Sequence, residues 1–305
     1  KALVPFAFVY TPAMLLIGLL FFGGLAVGVM RSFSWMPVVG LTEPNLDAYH
    51  AVLTDPDFLR SFLLTFHIAF TSTLLSTLTG GLGMSYRSVV TPDPLRARMN
   101  ATIRTVNWGS IAIAAPLMLR RTFVGRRAIN FLFQLNLTVP HIVGAVGILY
   151  LFSQSGFFAR MAYQIGLIAR PGEFPALVYD PYAIGIILQY VWKEVPFIGV
   201  IVLAQMQALG TDYESVARSL GANRWQAFRH VLLPLILPGV LSASVIVFAF
   251  TFGAYEVPLL LGASHPQALP VLAYKTYTDV DLAARPEAMA MAVVIAVLSG
   301  LMIWA

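Results

Sequence analysis

The segment YESVARSLGANRWQAFRHVLLPLILPGV, residues 213–240, brings charged side chains together in a chain that has few of them. Glu214, Arg218 and Arg224 lie within it, and Pro234 and Pro238 follow near its end. The long apolar stretches around this segment carry hardly a charge. Its position between such stretches predicts a polar connection that joins two apolar helices.

The composition places the whole chain in a membrane. Of its 305 residues, 58% are hydrophobic and 11% are charged, whereas soluble domains carry about a quarter charged residues. The absence of cysteine excludes disulfides, thiolate catalysis and Cys-ligated metals. The formal net charge is +5, but the basic residues lie between apolar segments. There they indicate membrane topology and contact with anionic lipid rather than nucleic-acid binding.

Apolar segments long enough to cross a bilayer, about 20 residues each, recur along the chain. They predict a single transmembrane domain over residues 1–305, with the spans 5–30, 61–86, 128–152, 182–209, 234–260 and 287–305. The basic residues then place the N-terminus and the connection at 211–233 in the cytoplasm. Because the chain begins at Lys1 and stops within an apolar segment, we expect the full protein to have longer termini.

Residues 106–119 form a shorter apolar segment with arginines on both sides. Basic residues favour the cytoplasmic side, so this pattern predicts a short interfacial or re-entrant helix there. A continuation of the second span and a seventh crossing are the alternatives.

The segment at 213–240 has the local signals of two short helices. Thr211 and Glu214 have the spacing of a capping box, Gly221 can end the first helix in a left-handed conformation, and Asn223 can cap the second. The second helix then carries an apolar stripe of Trp225, Phe228, Val231 and Leu232. An ordinary amphipathic linker on the membrane surface is the alternative interpretation.

The same residues resemble the EAA loop of type I ABC importer permeases. That pattern is Glu-Ala-Ala, three residues, Gly, nine residues and Ile-x-Leu-Pro. Here Gly221 is followed by nine residues and then VLLP, which ends at Pro234. Ala217 stands at the second alanine and Ser215 at the glutamate, while Glu214 lies one residue earlier.

This resemblance implies an all-α type I importer fold in a bacterial cytoplasmic membrane. It implies a coupling helix that docks on a cytoplasmic ABC ATPase dimer, with ATP and Mg bound there and none by this chain. Further implied partners are a second, related but non-identical permease and a periplasmic or lipid-anchored binding protein. Trp225 and Phe228 are expected to be exposed anchors. The residues implied in coupling are Glu214, Ser215, Ala217, Arg218, Gly221, Ala222, Trp225, Phe228 and Pro234.

Ionisable residues inside spans mark a second candidate site, because they are costly in a bilayer and usually face a partner or a water-filled path. Lys193 and Glu194 lie in YVWKEVPF, and Glu256 lies in FTFGAYEVP. Carboxylates beside aromatic rings suit an organic cation. The candidate pathway residues are Tyr190, Trp192, Glu194, Tyr255 and Glu256. Snorkelling side chains and a structural ion pair between spans are the alternatives.

The segment FTFGAYEVPLLLG, residues 250–262, also resembles the importer branch for spermidine and putrescine. A polyamine is therefore the first expected substrate, and iron(III), thiamine, sulfate or a phosphonate on the same scaffold are alternatives. A different class is a secondary transporter driven by an ion gradient. We expect no catalytic or metal site in this chain, since its sequence contains no recognisable catalytic cluster or Walker A loop.

Overall fold

The computed structural model describes residues 3–82, 131, 134–209 and 212–304. Within these residues the chain is helical, and its only β pairing is an isolated bridge between Met36 and Leu41. The α-helices are α1 (Leu3–Ser32), α2 (Asp47–Thr54), α3 (Pro56–Ser76), α4 (His141–Phe152), α5 (Phe157–Gln164), α6 (Ile184–Leu209), α7 (Asp212–Ser219), α8 (Arg224–Ala227), α9 (Leu233–Gly253), α10 (Glu256–Leu261), α11 (Leu269–Tyr277) and α12 (Arg285–Trp304).

Six of the described helical segments are long and apolar enough to cross a membrane, judged by length and composition alone. They are Met14–Ser32, Pro56–Gly81, His141–Gln164, Ile184–Leu209, Trp225–Gly253 and Leu282–Trp304. The predicted all-α fold class with about six spans is confirmed. The helix predicted at 106–119 lies outside the described residues.

Local signals explain where these helices depart from the predicted spans. The second begins at Pro56, before the predicted residue 61, because the Asp55 carboxylate accepts the Asp57 N–H at 2.9 Å and proline suits the first helical position. The third, predicted as one span over 128–152, is broken: a helical turn at 134–138 ends before Pro140, and α4 begins at His141.

The fifth predicted span, 234–260, is also divided into two helices. Ala254 has an extended backbone after α9, and α10 begins again at Glu256. At the start of α9, a π-helical turn over Phe228–Leu232 leads directly into Leu233. The composition of these segments predicted their hydrophobicity but not these interruptions.

The chain divides into two compact units. In the first, Lys1–Thr65 with Pro266–Ala305, α12 packs against α1, α2 and α11. The Leu269 N–H donates to the Thr65 hydroxyl at 2.7 Å within its buried core. Residues beyond Thr65 up to His265 form the second unit, which contains both candidate sites.

Helix α6 is the centre of the second unit. It packs against α4, α9, α10 and a π-helical turn at Thr77–Leu82. The apolar core here consists of Ile198, Val202, Met206, Phe228, Leu232, Ile236, Val240, Ala243 and Val247. Both candidate sites therefore lie on or next to α6.

Candidate functional site

The glycine that ends α7 has the conformation that its position in the sequence predicts. Gly221 has a φ of +90°, which glycine adopts at little cost. Its N–H donates to the Arg218 carbonyl at 3.0 Å, and the Ala222 N–H donates to the Ala217 carbonyl at 3.1 Å. These two bonds are those of a Schellman motif, which satisfies the last carbonyls of a helix. The predicted left-handed stop is confirmed.

The predicted cap of the second short helix is also present. The Asn223 side chain accepts the Gln226 N–H at 2.9 Å, and the Gln226 side chain accepts the Asn223 N–H at 2.9 Å. This reciprocal pair is a capping box. Sequence reasoning found Asn223 but missed Gln226, although its position three residues later was the signal. Thr211, the cap predicted for α7, lies outside the described residues.

The aromatic pair of this loop does not face outwards as a pair. Trp225 is 47% exposed, as expected, but Phe228 is only 3% exposed, so the prediction that Phe228 is an exposed anchor was wrong. Phe228 belongs to the apolar core that contains Ile198, Val202 and Met206 of α6. The π-helical turn begins at Phe228, and this residue fastens the loop to α6 while Trp225 stays accessible.

Helix α7 and the turn that follows it present a further apolar face that sequence reasoning missed. Tyr213, Val216 and Leu220 are 48%, 58% and 83% exposed. Their spacing of three and then four residues puts them on one side of a helix, and this spacing was the available signal. Among the other predicted coupling residues, Ala217 is buried, Glu214 and Ala222 are half-buried, and the exposed ones are Ser215, Arg218, Gly221 and Pro234.

The candidate substrate pathway is only partly assembled as predicted. Glu194 is buried, and its Oε1 lies 3.1 Å from Nε2 of His141, which opens α4. Tyr190, four residues before Glu194 on α6, is fully buried, and the ring centroid of His141 lies 6.4 Å from its own ring centroid. The structure therefore groups Tyr190, Glu194 and His141.

The remaining pathway residues lie nearer the surface of the second unit. Glu256 is exposed in the first turn of α10, Tyr255 before it is half-buried, and Trp192 is 41% exposed. The predicted structural alternative also holds in part, since Glu194 and His141 form a polar pair between α6 and α4. The ring centroid of His141 lies 4.9 Å from that of Phe250, which makes this histidine a packed polar group.

Lys193 has different contacts from its neighbour Glu194. It is 5% exposed, and its ammonium donates to the backbone carbonyls of Asn136, Leu137 and Val139. The prediction that adjacent residues 193 and 194 point in different directions is confirmed. The snorkelling alternative is wrong for Lys193, because its ammonium is held inside the second unit. No group of three metal-ligating side chains occurs among the residues described.

Comparisons with known proteins agree with this architecture. Residues 108–304 match the family described as "Binding-protein-dependent transport system inner membrane component". The molybdenum transport system permease protein ModB of Mycobacterium tuberculosis is 27% identical over 82% of this chain and 81% of its own length. The sulfate transport system permease protein CysT of Salmonella typhimurium is 25% identical over 72% of this chain and 78% of its own length.

A shorter match and a solved structure extend these comparisons. The thiamine transport system permease protein ThiP of Escherichia coli is 27% identical over 52% of this chain and 28% of its own length. A chain of a bacterial alginate ABC transporter, solved in complex with an alginate pentasaccharide-bound periplasmic protein, superposes with a TM-score of 0.72. It is 16% identical over 99% of this chain and 92% of that chain, a likeness that shows the fold.

Proposed function

Because the chain belongs to the binding-protein-dependent transport system inner membrane components, the permeases of type I ABC importers, we propose that it couples ATP hydrolysis in a partner subunit to the uptake of a small solute by alternating access. ATP and Mg then bind to a cytoplasmic ATPase dimer. The other partners are a second, related permease and an extracytoplasmic binding protein. The alginate transporter resolved with its periplasmic protein supports the last of these.

The observation that carries this proposal is the exposed apolar group of Tyr213, Val216 and Leu220 on α7 and the turn after it, followed along the chain by the left-handed Gly221 and the exposed Trp225. Exposed apolar patches of this kind mark interaction sites. Asp212, Glu214 and Arg218 lie on the same eight-residue helix, and charges of both signs favour a protein groove over lipid. We therefore place the coupling loop, residues 211–233, in the cytoplasm against the ATPase.

The anchoring of the loop supports a mechanical role. Phe228 is buried among apolar residues of α6 and α9, and the capping box and Schellman motif fix both short helices. A partner that moves α7 and Trp225 therefore pulls on α6 and α9 through packed side chains. A flexible linker would dissipate the same displacement.

For the substrate, we propose a tetrahedral oxyanion as the first candidate. The relatives named for molybdenum and sulfate transport match 72% or more of the chain. In neutral water both molybdate and sulfate are doubly charged oxyanions. None of the relatives reported above is named for polyamine transport, so the polyamine expectation has no support from them.

An organic cation is the second candidate, because of one feature of the pathway. Glu256 and Trp192 are exposed and Tyr255 is half-exposed, whereas the ammonium of Lys193 is already held by backbone carbonyls. Carboxylate and aromatic groups attract cations. One relative of this chain is named for the transport of thiamine, an organic cation. The substrates can be distinguished by direct measurement.

The test is a reconstituted complex in proteoliposomes that contains the permease, its co-purifying ATPase and its binding protein. We expect ATP-dependent uptake of molybdate or sulfate. Thiamine and spermidine are tested in parallel as substrates of the alternative, cationic class. The binding protein should stimulate ATP hydrolysis when it is loaded. Uptake that needs no ATPase and collapses with an ionophore would show an ion-gradient transporter and overturn the proposal.

A further inference from the structure

The third membrane segment is interrupted inside the second unit, and both sides of the interruption contact one stretch of α6. The helical turn at 134–138 ends before Pro140, and α4 begins at His141. Helix ends expose backbone groups without intrahelical partners. In a bilayer such groups must be satisfied by the protein itself. Residues 189–194 of α6 supply those partners.

The first contact repairs a defect in α6 itself. Pro196 lies inside α6 and has no N–H, so the carbonyl four residues earlier, that of Trp192, lacks its helical donor. The Asn136 side-chain amide donates to this Trp192 carbonyl at 2.8 Å. The end of the 134–138 turn is therefore bound to the one place in this part of α6 where the helical ladder is open.

The second contact places a buried cation on a helix end. The Lys193 ammonium donates to the carbonyls of Asn136, Leu137 and Val139, the last at the point where the turn ends. Cations are stabilised at helix C-termini by the partial negative charge of the unpaired carbonyls. One side chain of α6 thus satisfies three acceptors at the interruption and compensates its own burial.

The far side of the interruption is held by two further residues of α6. Gln189 donates its side-chain amide to the His141 carbonyl at 3.2 Å, and Glu194 contacts the His141 ring at 3.1 Å. We call these α6 residues, Gln189, Lys193 and Glu194, together with Asn136 and His141, the α6 clamp.

We propose that Lys193 and Asn136 are positioning residues that make the interrupted third segment move as one body with α6 when the coupling loop is displaced. This proposal rests on the proposed function. The chain leads from the clamp along α6 to Leu209 and then, at Asp212, into α7. From Lys193 to Leu209 the helix rises about 24 Å, and Phe228 packs against this lower part of α6. Displacement of the loop therefore reaches the clamp through Phe228 and helix α6.

The experiment measures solute taken up per ATP hydrolysed in the reconstituted complex, at equal amounts of assembled complex. Lys193→Met removes the ammonium that donates to the carbonyls of Asn136, Leu137 and Val139, and we expect uptake per ATP to fall by about tenfold, the change that ~1.4 kcal/mol produces. Lys193→Arg keeps the charge and the donors, so it should restore the ratio. Lys275→Met, at an exposed lysine of α11, is the matched control and should not change it.

A double-mutant cycle tests the Asn136 contact independently. Asn136→Leu removes the donor to the Trp192 carbonyl and should lower uptake per ATP. In a Pro196→Ala background the helix regains its own N–H at that position, so Asn136→Leu should then cost much less. Equal effects of Asn136→Leu in both backgrounds would overturn this part of the proposal. Because the cycle does not use Lys193→Met, it remains a test even if that variant does not assemble.

Hydrogen exchange of the assembled complex separates this proposal from the function on which it rests. Lys193→Met should speed amide exchange over 134–145 without speeding it in α9. If uptake and ATP hydrolysis fall in proportion in Lys193→Met, the residue contributes only to folding and the clamp proposal is wrong, while the importer function stands. If the wild-type complex shows no ATP-driven uptake, the proposed function itself fails.

Discussion

Replacement of Gly221 by alanine or proline tests whether the hinge of the coupling loop is a mechanical part. Gly221 has a φ of +90°, and no atom lies within 4 Å of the position that a Cβ would take. Substitution therefore causes no collision, and the whole cost is in the backbone. A left-handed conformation costs an L-residue ~1–2 kcal/mol, so Gly221→Ala should lower the population of the native hinge by about 5–30-fold relative to its alternatives.

Proline at this position should have a larger effect than alanine. Its ring fixes φ near about −65°, which is incompatible with the observed conformation, and it removes the N–H that donates to the Arg218 carbonyl. We expect Gly221→Pro to insert into the membrane normally but to lose ATP-driven uptake. Gly221→Asn should be tolerated best, because asparagine adopts the left-handed region more readily than other non-glycine residues.

Gly166 provides a matched control in the same chain. It ends the eight-residue helix α5 with a φ of +75°, and again nothing lies within 4 Å of its Cβ position. Its N–H donates to the Tyr163 carbonyl at 3.1 Å, and the Leu167 N–H donates to the Ala162 carbonyl at 2.9 Å. Gly166→Pro thus breaks the same motif at the same cost, outside the coupling loop.

The assay is co-purification of the ATPase with tagged permease, followed by uptake in proteoliposomes. Gly221→Pro should lose the ATPase or its coupling, whereas Gly166→Pro should retain the ATPase. If Gly221→Pro supports normal uptake, or if both variants lose the ATPase equally, the assignment of this loop as the coupling element is refuted.

Three further predictions follow from burial and close approach in the second unit. Trp225→Asp should prevent ATPase co-purification without lowering the amount of inserted permease, whereas Phe228→Ala should destabilise the fold by about 3–5 kcal/mol and lower the Tm of the purified chain. Glu256→Gln should raise the KM for uptake of a cation such as thiamine by about fivefold at most and leave oxyanion uptake unchanged; the opposite pattern would remove Glu256 from the pathway. Gly144→Ala should lower the Tm, because its Cβ would collide with two side chains of α6, while Gly147→Ala, with open space around it, should be neutral or stabilising by up to ~1 kcal/mol.

The parts of the coupling loop that the sequence predicts correctly depend on single residues. Gly221 and Asn223 determine the backbone where they stand, because left-handed φ and side-chain capping are local properties. Phe228 was predicted wrongly because an apolar stripe shows that a helix has an apolar face. It does not show which residues of that face are buried against the rest of the protein and which stay exposed. The π-helical turn that begins at Phe228 also changes the spacing along the stripe.

The same distinction holds for the membrane segments. Hydropathy predicts six spans because crossing a bilayer needs about 20 apolar residues regardless of partners. It does not predict the break before His141, since an apolar run has the same hydropathy whether the helix is continuous or interrupted. The early start of α3 at Pro56 was readable, because Asp55 and Pro56 form a local cap and first turn, but charged residues nearby lowered the hydropathy there.

Lys193 and Glu194 show why the pathway could be predicted only in part. A lysine and a glutamate inside a span indicate that the protein supplies partners for them, but the partners of both residues lie more than fifty positions earlier in the chain. Pro196 indicates that a carbonyl is left open, without indicating that Asn136 fills it. Lys193 faces the interruption and supports it, whereas the adjacent Glu194 faces His141 and belongs to the candidate pathway. On the clamp proposal, a displacement of α6 by the coupling loop therefore moves both side chains together with His141, and the Glu194–His141 pair is kept during that movement.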